Sequence, residues 1–307
     1  MTAAVIQQEN LKAVMDAYRA RTGTTAEISL VDLPALIRAI PATASYDLSK
    51  DYVEGKESII VEDGARSIKD YAFQSEAFKQ ITLPETVTSI GLRAFDTCSN
   101  LEGITNFNDL SALRTIGERA FANDGQFGTL SGQTELSLPN LTNIGASAFV
   151  STHVQKINFP KAGVGNMSFQ YCSYLTEAVI GYNASSLFSG CSQMTKARTT
   201  LASTIYGNSF KGCSALQELI FDTAKTISAS AFNGATSLTT LVLKYSSGVS
   251  LSSTNAFTNT PFASGGTGGT IYCPQALIDS GYYTTATNWS SLAINQILPI
   301  EGSVYDD

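Results

Sequence analysis

Four of the five cysteines, Cys98, Cys172, Cys191 and Cys213, stand three residues after a phenylalanine. Thiols at a fixed offset could pair as disulfides or hold a soft metal. The surroundings fit neither chemistry: there is no C-x-x-C pair, and His153 is the only histidine, so a zinc ion would lack ligands. The better reading is one small inward slot, filled by cysteine four times and by Ala235 once. Free cysteine behaves as a small buried hydrophobe. Such an odd set of thiols, with Cys273 as the fifth, fits a chain folded in a reducing cytoplasm. His153 is expected at the surface. The acidic pairs Glu62-Asp63 and Asp306-Asp307 fall in a turn and in the tail, whereas glycoside hydrolysis needs carboxylates facing across a cleft. Ser264 to Thr270 is glycine-rich but lacks the phosphate-loop lysine. No catalytic residue, metal site or cofactor is expected, and the chain reads as non-enzymatic.

The phenylalanines beside those cysteines belong to a longer series: Phe73, Phe95, Phe121, Phe149, Phe169, Phe188, Phe210, Phe232 and Phe257, at gaps of 22, 26, 28, 20, 19, 22, 22 and 25 residues. Several close the same word, as in Ile90-Gly91-Leu92-Arg93-Ala94-Phe95 and Ile116-Gly117-Glu118-Arg119-Ala120-Phe121. A period near 22 predicts a stack of small coils, each unable to bury its apolar side alone. Each coil opens on an alternating triplet, such as Ile81-Thr82-Leu83, Leu136-Ser137-Leu138, Ile157-Asn158-Phe159 or Leu241-Val242-Leu243. Alternation reads as a short strand with its outer two side chains inward. Pro84, Pro139 and Pro160 then end the strand, since proline cannot donate to a ladder.

The word I-G-x-x-A-F-x-x-C-x-x-L, followed by a strand and a proline, resembles the BspA-type leucine-rich repeat over roughly Ser58 to Pro274. The resemblance implies an α/β class, right-handed leucine-rich-repeat solenoid of about nine coils, used as a surface and adhesion module. Its weakest part lies between Gly163 and Thr200, where Phe188 lacks the upstream isoleucine. Three segments are expected: a helical N-terminal attachment or oligomerisation segment (1–45), the solenoid (46–274), and a C-terminal cap and tail (275–307). In the cap, Trp289 is expected to plug the last coil. The acidic tail is expected to fray.

In the first segment Leu11, Val14 and Tyr18 fall at helical spacing, as do Leu33, Leu36, Ile37 and Ile40. The stretch Ala17 to Leu30, with the apolar run that follows, is similar to an N-terminal segment of phage structural proteins. This resemblance implies docking to other virion proteins and a homotrimer. No positively charged region precedes an apolar run at the start, and no stretch approaches a membrane span, so neither a secretory signal nor membrane insertion is expected. Net charge is −7 without basic clustering, which tells against nucleic acid.

The middle residue of each triplet faces outward: Ile60, Thr82, Ser137, Asn158, Val179, Arg198, Ile220 and Val242. The later members are apolar. They either mark a protein contact, or are covered by the chain's own loops. The expected function is a phage tail fibre or tail-associated protein, located in the virion, that presents this surface to a host protein or glycan. The alternatives are a bacterial cell-surface adhesin of the same repeat type and a capsid-decorating or head-fibre protein.

Overall fold

The computed structural model describes residues 57–61 and 64–305. The N-terminal positions Leu11, Val14, Tyr18, Leu33, Leu36, Ile37 and Ile40 lie outside the described residues. The rest winds as a parallel β-solenoid. Its widest face begins with strands Ser58–Ile60, Gln80–Thr82 and Gly103–Ile104, paired in that order. An eight-stranded sheet follows: Glu135–Ser137, Lys156–Phe159, Glu177–Ile180, Lys196–Thr199, Glu218–Phe221, Thr240–Leu243, Gly269–Cys273 and Ile294–Pro299. This makes eleven rungs, where the sequence suggests about nine. The two additions, Gly103–Ile104 and Ile294–Pro299, escape the triplet pattern because one opens on glycine and the other carries Asn295 and Gln296.

The sheet is interrupted between Ile104 and Glu135, and side chains close the gap. Asn108 donates through Nδ2 to the Glu135 carbonyl at 2.9 Å and accepts from the Ser137 N–H at 2.8 Å. One coil earlier, Asn106 makes the same pair of bonds with Leu83, at 2.7 and 3.2 Å. A primary amide carries the same donor and acceptor as a peptide unit, so each asparagine acts as a rung of the ladder.

A second face holds two-residue strands that put an apolar residue inward, such as Ser89–Ile90, Thr115–Ile116 and Asn143–Ile144. Glycine follows each of these three. A Cβ at Gly91, Gly117 or Gly145 would lie 2.5, 2.5 or 2.3 Å from the backbone of the preceding coil. The Ile-Gly word is therefore a close-approach requirement, not a turn signal.

The third face carries the phenylalanines in tight turns. The residues two before and two after each ring take positive φ, as at Arg93 and Thr97 or Ser147 and Ser151. This alternation points every second N–H at the next coil. Tyr71, Phe73 and Ser75 donate to the carbonyls of Leu92, Ala94 and Asp96 at 2.8, 2.7 and 2.9 Å. Arg93, Phe95 and Thr97 donate in the same sense to Glu118, Ala120 and Ala122. Inside, the rings stack at coil spacing: Phe73, Phe95, Phe121, Phe149 and Phe169 follow one another at 5.1 Å. The last ring, Phe257, meets Trp289 at 5.9 Å.

Trp289 is buried as expected and donates to the Val249 carbonyl at 2.7 Å. Tyr283 closes the same end, its hydroxyl accepting from the Val249 N–H. The tail departs from expectation. Residues 300–305 pack on the outside of the wide sheet, and Ile300 and Tyr305 join Ile220, Val242 and Tyr272 in a small second apolar cluster.

Candidate binding face

Register places six of the seven outward positions in a single row. Ser137, Asn158, Val179, Arg198, Ile220 and Val242 are successive partners across the eight-stranded sheet. Tyr272 extends the row. Thr82 sits apart in the three-stranded sheet, where its hydroxyl lies 2.6 Å from that of Thr105. The strands between Gly163 and Thr200, where the repeat is weakest, are four residues long and in register with their neighbours.

The row divides in two. From Ser137 to Arg198 it is half-buried and open to solvent. Ile220 is 5% exposed and Val242 fully buried. Of the two readings left open by the sequence, cover by the chain itself holds, although the cover is the C-terminal tail and not a loop. The tail was misread because Glu301, Gly302 and Ser303 look like solvated text. Its anchoring residues, Ile300 and Tyr305, lie on either side of them. Tyr305 donates its hydroxyl to Glu218 Oε2 at 2.5 Å and sets its ring edge-on to Tyr272 at 4.8 Å. Burial first, and then the Glu218 carboxylate, raises the tyrosine's pKa.

Two residues upstream on each strand runs a second outward row of alternating charge: Glu135, Lys156, Glu177, Lys196 and Glu218, again register partners. Lys156 meets Glu177 at 2.5 Å, and Lys196 meets Glu218 at 2.5 Å. The hydrogen bond to Glu177 and its charge raise the Lys156 pKa. Arg198 is held by Asp222 through Nε at 3.0 and 3.2 Å. Opposite charges on adjacent strands neutralise one another, so this face offers no large field of one sign. A groove of about 410 Å³ lies between these rows and the tail, with Val179 and Ile220 on its floor and Val304 and Tyr305 as one wall.

The four repeat cysteines lie where expected, buried and free, but they do more than fill space. The thiols of Cys98, Cys172, Cys191 and Cys213 donate to the carbonyls of Phe73, Phe149, Phe169 and Phe188, at 2.9, 3.0, 3.1 and 3.1 Å. Each links one coil to the phenylalanine of the coil before. Burial pushes Cys172 up to about 11 and Cys213 to about 12, which leaves the thiols protonated and weakly reactive.

Sequence reasoning missed Asp124, which occupies the same slot after Phe121. It is fully buried, and neither carboxylate oxygen has a hydrogen-bond partner. Burial pushes its pKa up to about 9; the nearby backbone of Cys98 and Thr97 works against that shift, and the charge on Asp96 adds to it. Asp96 is itself held by Arg119 at 3.2 Å. The signal was its offset of three from Phe121, masked by a neighbouring Asn123 and Gly125 that read as a surface turn. His153 is half-buried and stacks on Tyr174 at 3.4 Å between ring centroids. Among the described residues, no three His, Cys, Asp or Glu side chains are grouped to hold a metal. No helix among them is long and apolar enough to cross a membrane.

Parallel rungs, an inward phenylalanine ladder and a repeat of about 22 residues define a leucine-rich-repeat solenoid. The profile of the BspA type leucine rich repeat region, present in six copies, matches residues 52–176, 111–200 and 142–264. The chain belongs to that family. Among solved structures it is similar to a leucine-rich repeat protein from Bacteroides ovatus, at 19% identity, covering 79% of this chain and 68% of the other, with a TM-score of 0.49. It is also similar to the leucine rich repeat protein of T. pallidum, at 23% identity over 52% of this chain and 78% of that one, with a TM-score of 0.44. A leucine rich cell surface protein from Faecalibacterium prausnitzii matches at 14% identity over 81% and 88% of the two chains, with a TM-score of 0.27. Comparison with proteins of curated function finds no match. The resemblance of the first segment to phage structural proteins finds no support in these comparisons.

Proposed function

We propose that this protein is a non-enzymatic adhesion module of a bacterial cell surface, which holds a protein or glycan of its host on the outer face of the wide sheet. Membership of a repeat family that is commonly found at cell surfaces supports the location. The open half of the outward row, Ser137, Asn158, Val179 and Arg198, supports the binding role. It sets hydrogen-bonding groups beside one apolar side chain on a rigid strand array. Rigid, preorganised surfaces lose little entropy on binding. A virion-borne version of the same role, docked and trimerised through the first segment, rests on the Ala17–Leu30 resemblance alone.

The test is adherence of host epithelial cells and extracellular-matrix proteins to the immobilised full chain, alongside a Val179→Asp/Arg198→Glu variant. Loss of adherence in the variant, at an unchanged melting temperature, is the expected result. Equal adherence would move the site off this face. No adherence by the parent chain would remove the adhesion reading itself.

A further inference from the structure

The covered half of the outward row is a built seat that the chain itself fills. Its floor is Ile220, Val242 and Tyr272, on three adjacent strands, and its polar end is Glu218. What occupies it is an extended segment with an aliphatic side chain, Ile300, and a tyrosine five residues on. The tyrosine hydroxyl completes Glu218, whose other oxygen pairs with Lys196. The segment is held at two ends. Near Ile300, the peptide N–H bonds to the Cys273 carbonyl at 3.1 Å, and Glu301 accepts from the Gln275 N–H at 3.2 Å. At the far end the hold is Tyr305. Between them Val304 is 87% exposed and adds nothing to the grip. Beyond Tyr305 the groove stays open along Val179, Arg198, Lys196 and Glu177.

We propose that residues 300–305 are a displaceable strap over a peptide-docking groove, and that an extended partner segment with the same chemistry takes the strap's place on Ile220, Val242 and Glu218. The strap states what the seat selects: an aliphatic side chain, a short polar spacer and a phenol. A partner peptide that enters through the open part of the groove first meets Lys196 and Arg198. It then competes with Tyr305 for Glu218. Displacing the strap joins the covered and open halves into one row from Ser137 to Tyr272. This inference rests on the sheet's outer face being the binding face, and it adds the class of ligand and a means of exposing its seat.

The experiment is a fluorescence-anisotropy titration of a labelled peptide matching residues 299–305 into the full chain and two full-length variants. Ile300→Ala/Tyr305→Ala frees the strap, and Tyr305→Phe removes only the hydroxyl. A strap closed about nine-tenths of the time weakens apparent affinity about ten-fold, so the double variant should bind the peptide about ten-fold more tightly than the parent. Tyr305→Phe should fall between them, and Ile220→Asp placed on the double variant should abolish binding. Equal affinity in all three chains, or no binding by any chain that melts normally, would overturn the strap. Should the double variant fail to fold, the comparison of Tyr305→Phe with the parent decides by the same criterion. These outcomes are separate from the cell-adherence assay: adherence lost through Val179 and Arg198 stands whether or not the strap moves.

Discussion

The coil that carries Phe121 and the coil that carries Phe188 share a plan and differ in one buried group. Both rings stack in the same ladder, and in both the third residue onward enters the same slot. In the later coil that residue is Cys191, whose thiol reaches back to the Phe169 carbonyl at 3.1 Å. In the earlier coil it is Asp124, with both oxygens unpartnered. A thiol suits the slot because it is small, apolar and a weak donor. A carboxyl suits it only while it keeps its proton, since a buried charge without a partner is severely penalised. The same position is thus neutral at any ordinary pH in one coil and proton-dependent in the other.

The largest expected effect tests what the two coils share. Phe121→Ala and Phe188→Ala should each destabilise by roughly 3–5 kcal/mol in urea unfolding, because each empties a fully buried ring site. A clear inequality would mean that the slot residue also sets the grip on the ring.

Next comes the difference itself. The folded pKa of Asp124, about 9, lies above its ordinary 3.8, so the folded state retains a proton that the unfolded chain releases. Stability is then unaffected below pH ~4, falls by about 1.4 kcal/mol per unit as pH rises toward ~9, and flattens above that. Asp124→Cys should remove this slope and stabilise the protein by on the order of 3 kcal/mol at pH 7, with no gain at pH 4. Melting curves at the two pH values check this, and parallel gains at both would show that Asp124 is not the proton-binding group.

A milder change addresses the thiols. Cys213→Ala imitates Ala235, loses one S–H···O bond and should cost about 1 kcal/mol, with melting indifferent to reductant. Dependence on reductant would contradict five free thiols. Smallest of all, Ser230→Gly relieves a side chain held at φ 60° and should change stability by less than about 1 kcal/mol. A large loss there would mean that the Ser230 side chain contributes contacts of its own.

The repeat was legible because burial enforces it: Phe, Ile and Ala recur wherever a coil must close on its neighbours. The outward row was legible for the same reason, since fixing which residues point in also fixes which point out. Cover over that row was not legible. Ile300 and Tyr305 are two apolar residues in polar text, and nothing local says that they return to strands more than fifty residues earlier. Asp124 was hidden by composition, because a polar residue beside Asn123 and Gly125 reads as a turn. The interrupted ladder was hidden for another reason: Asn106 and Asn108 act through side chains that imitate backbone, which no hydrophobic pattern records.

The one-way hydrogen bonding of the phenylalanine face has a mechanical consequence. Those bonds and the sheet ladders both run from coil to coil, along the axis. A pull on the two ends of the solenoid therefore strains the seams between coils one at a time, not all together. Each seam that parts releases about 22 residues, or roughly 75 Å of slack at about 3.4 Å per extended residue. Under tension such a molecule lengthens in steps, as a coiled line pays out turn by turn, while the turns still wound keep their shape.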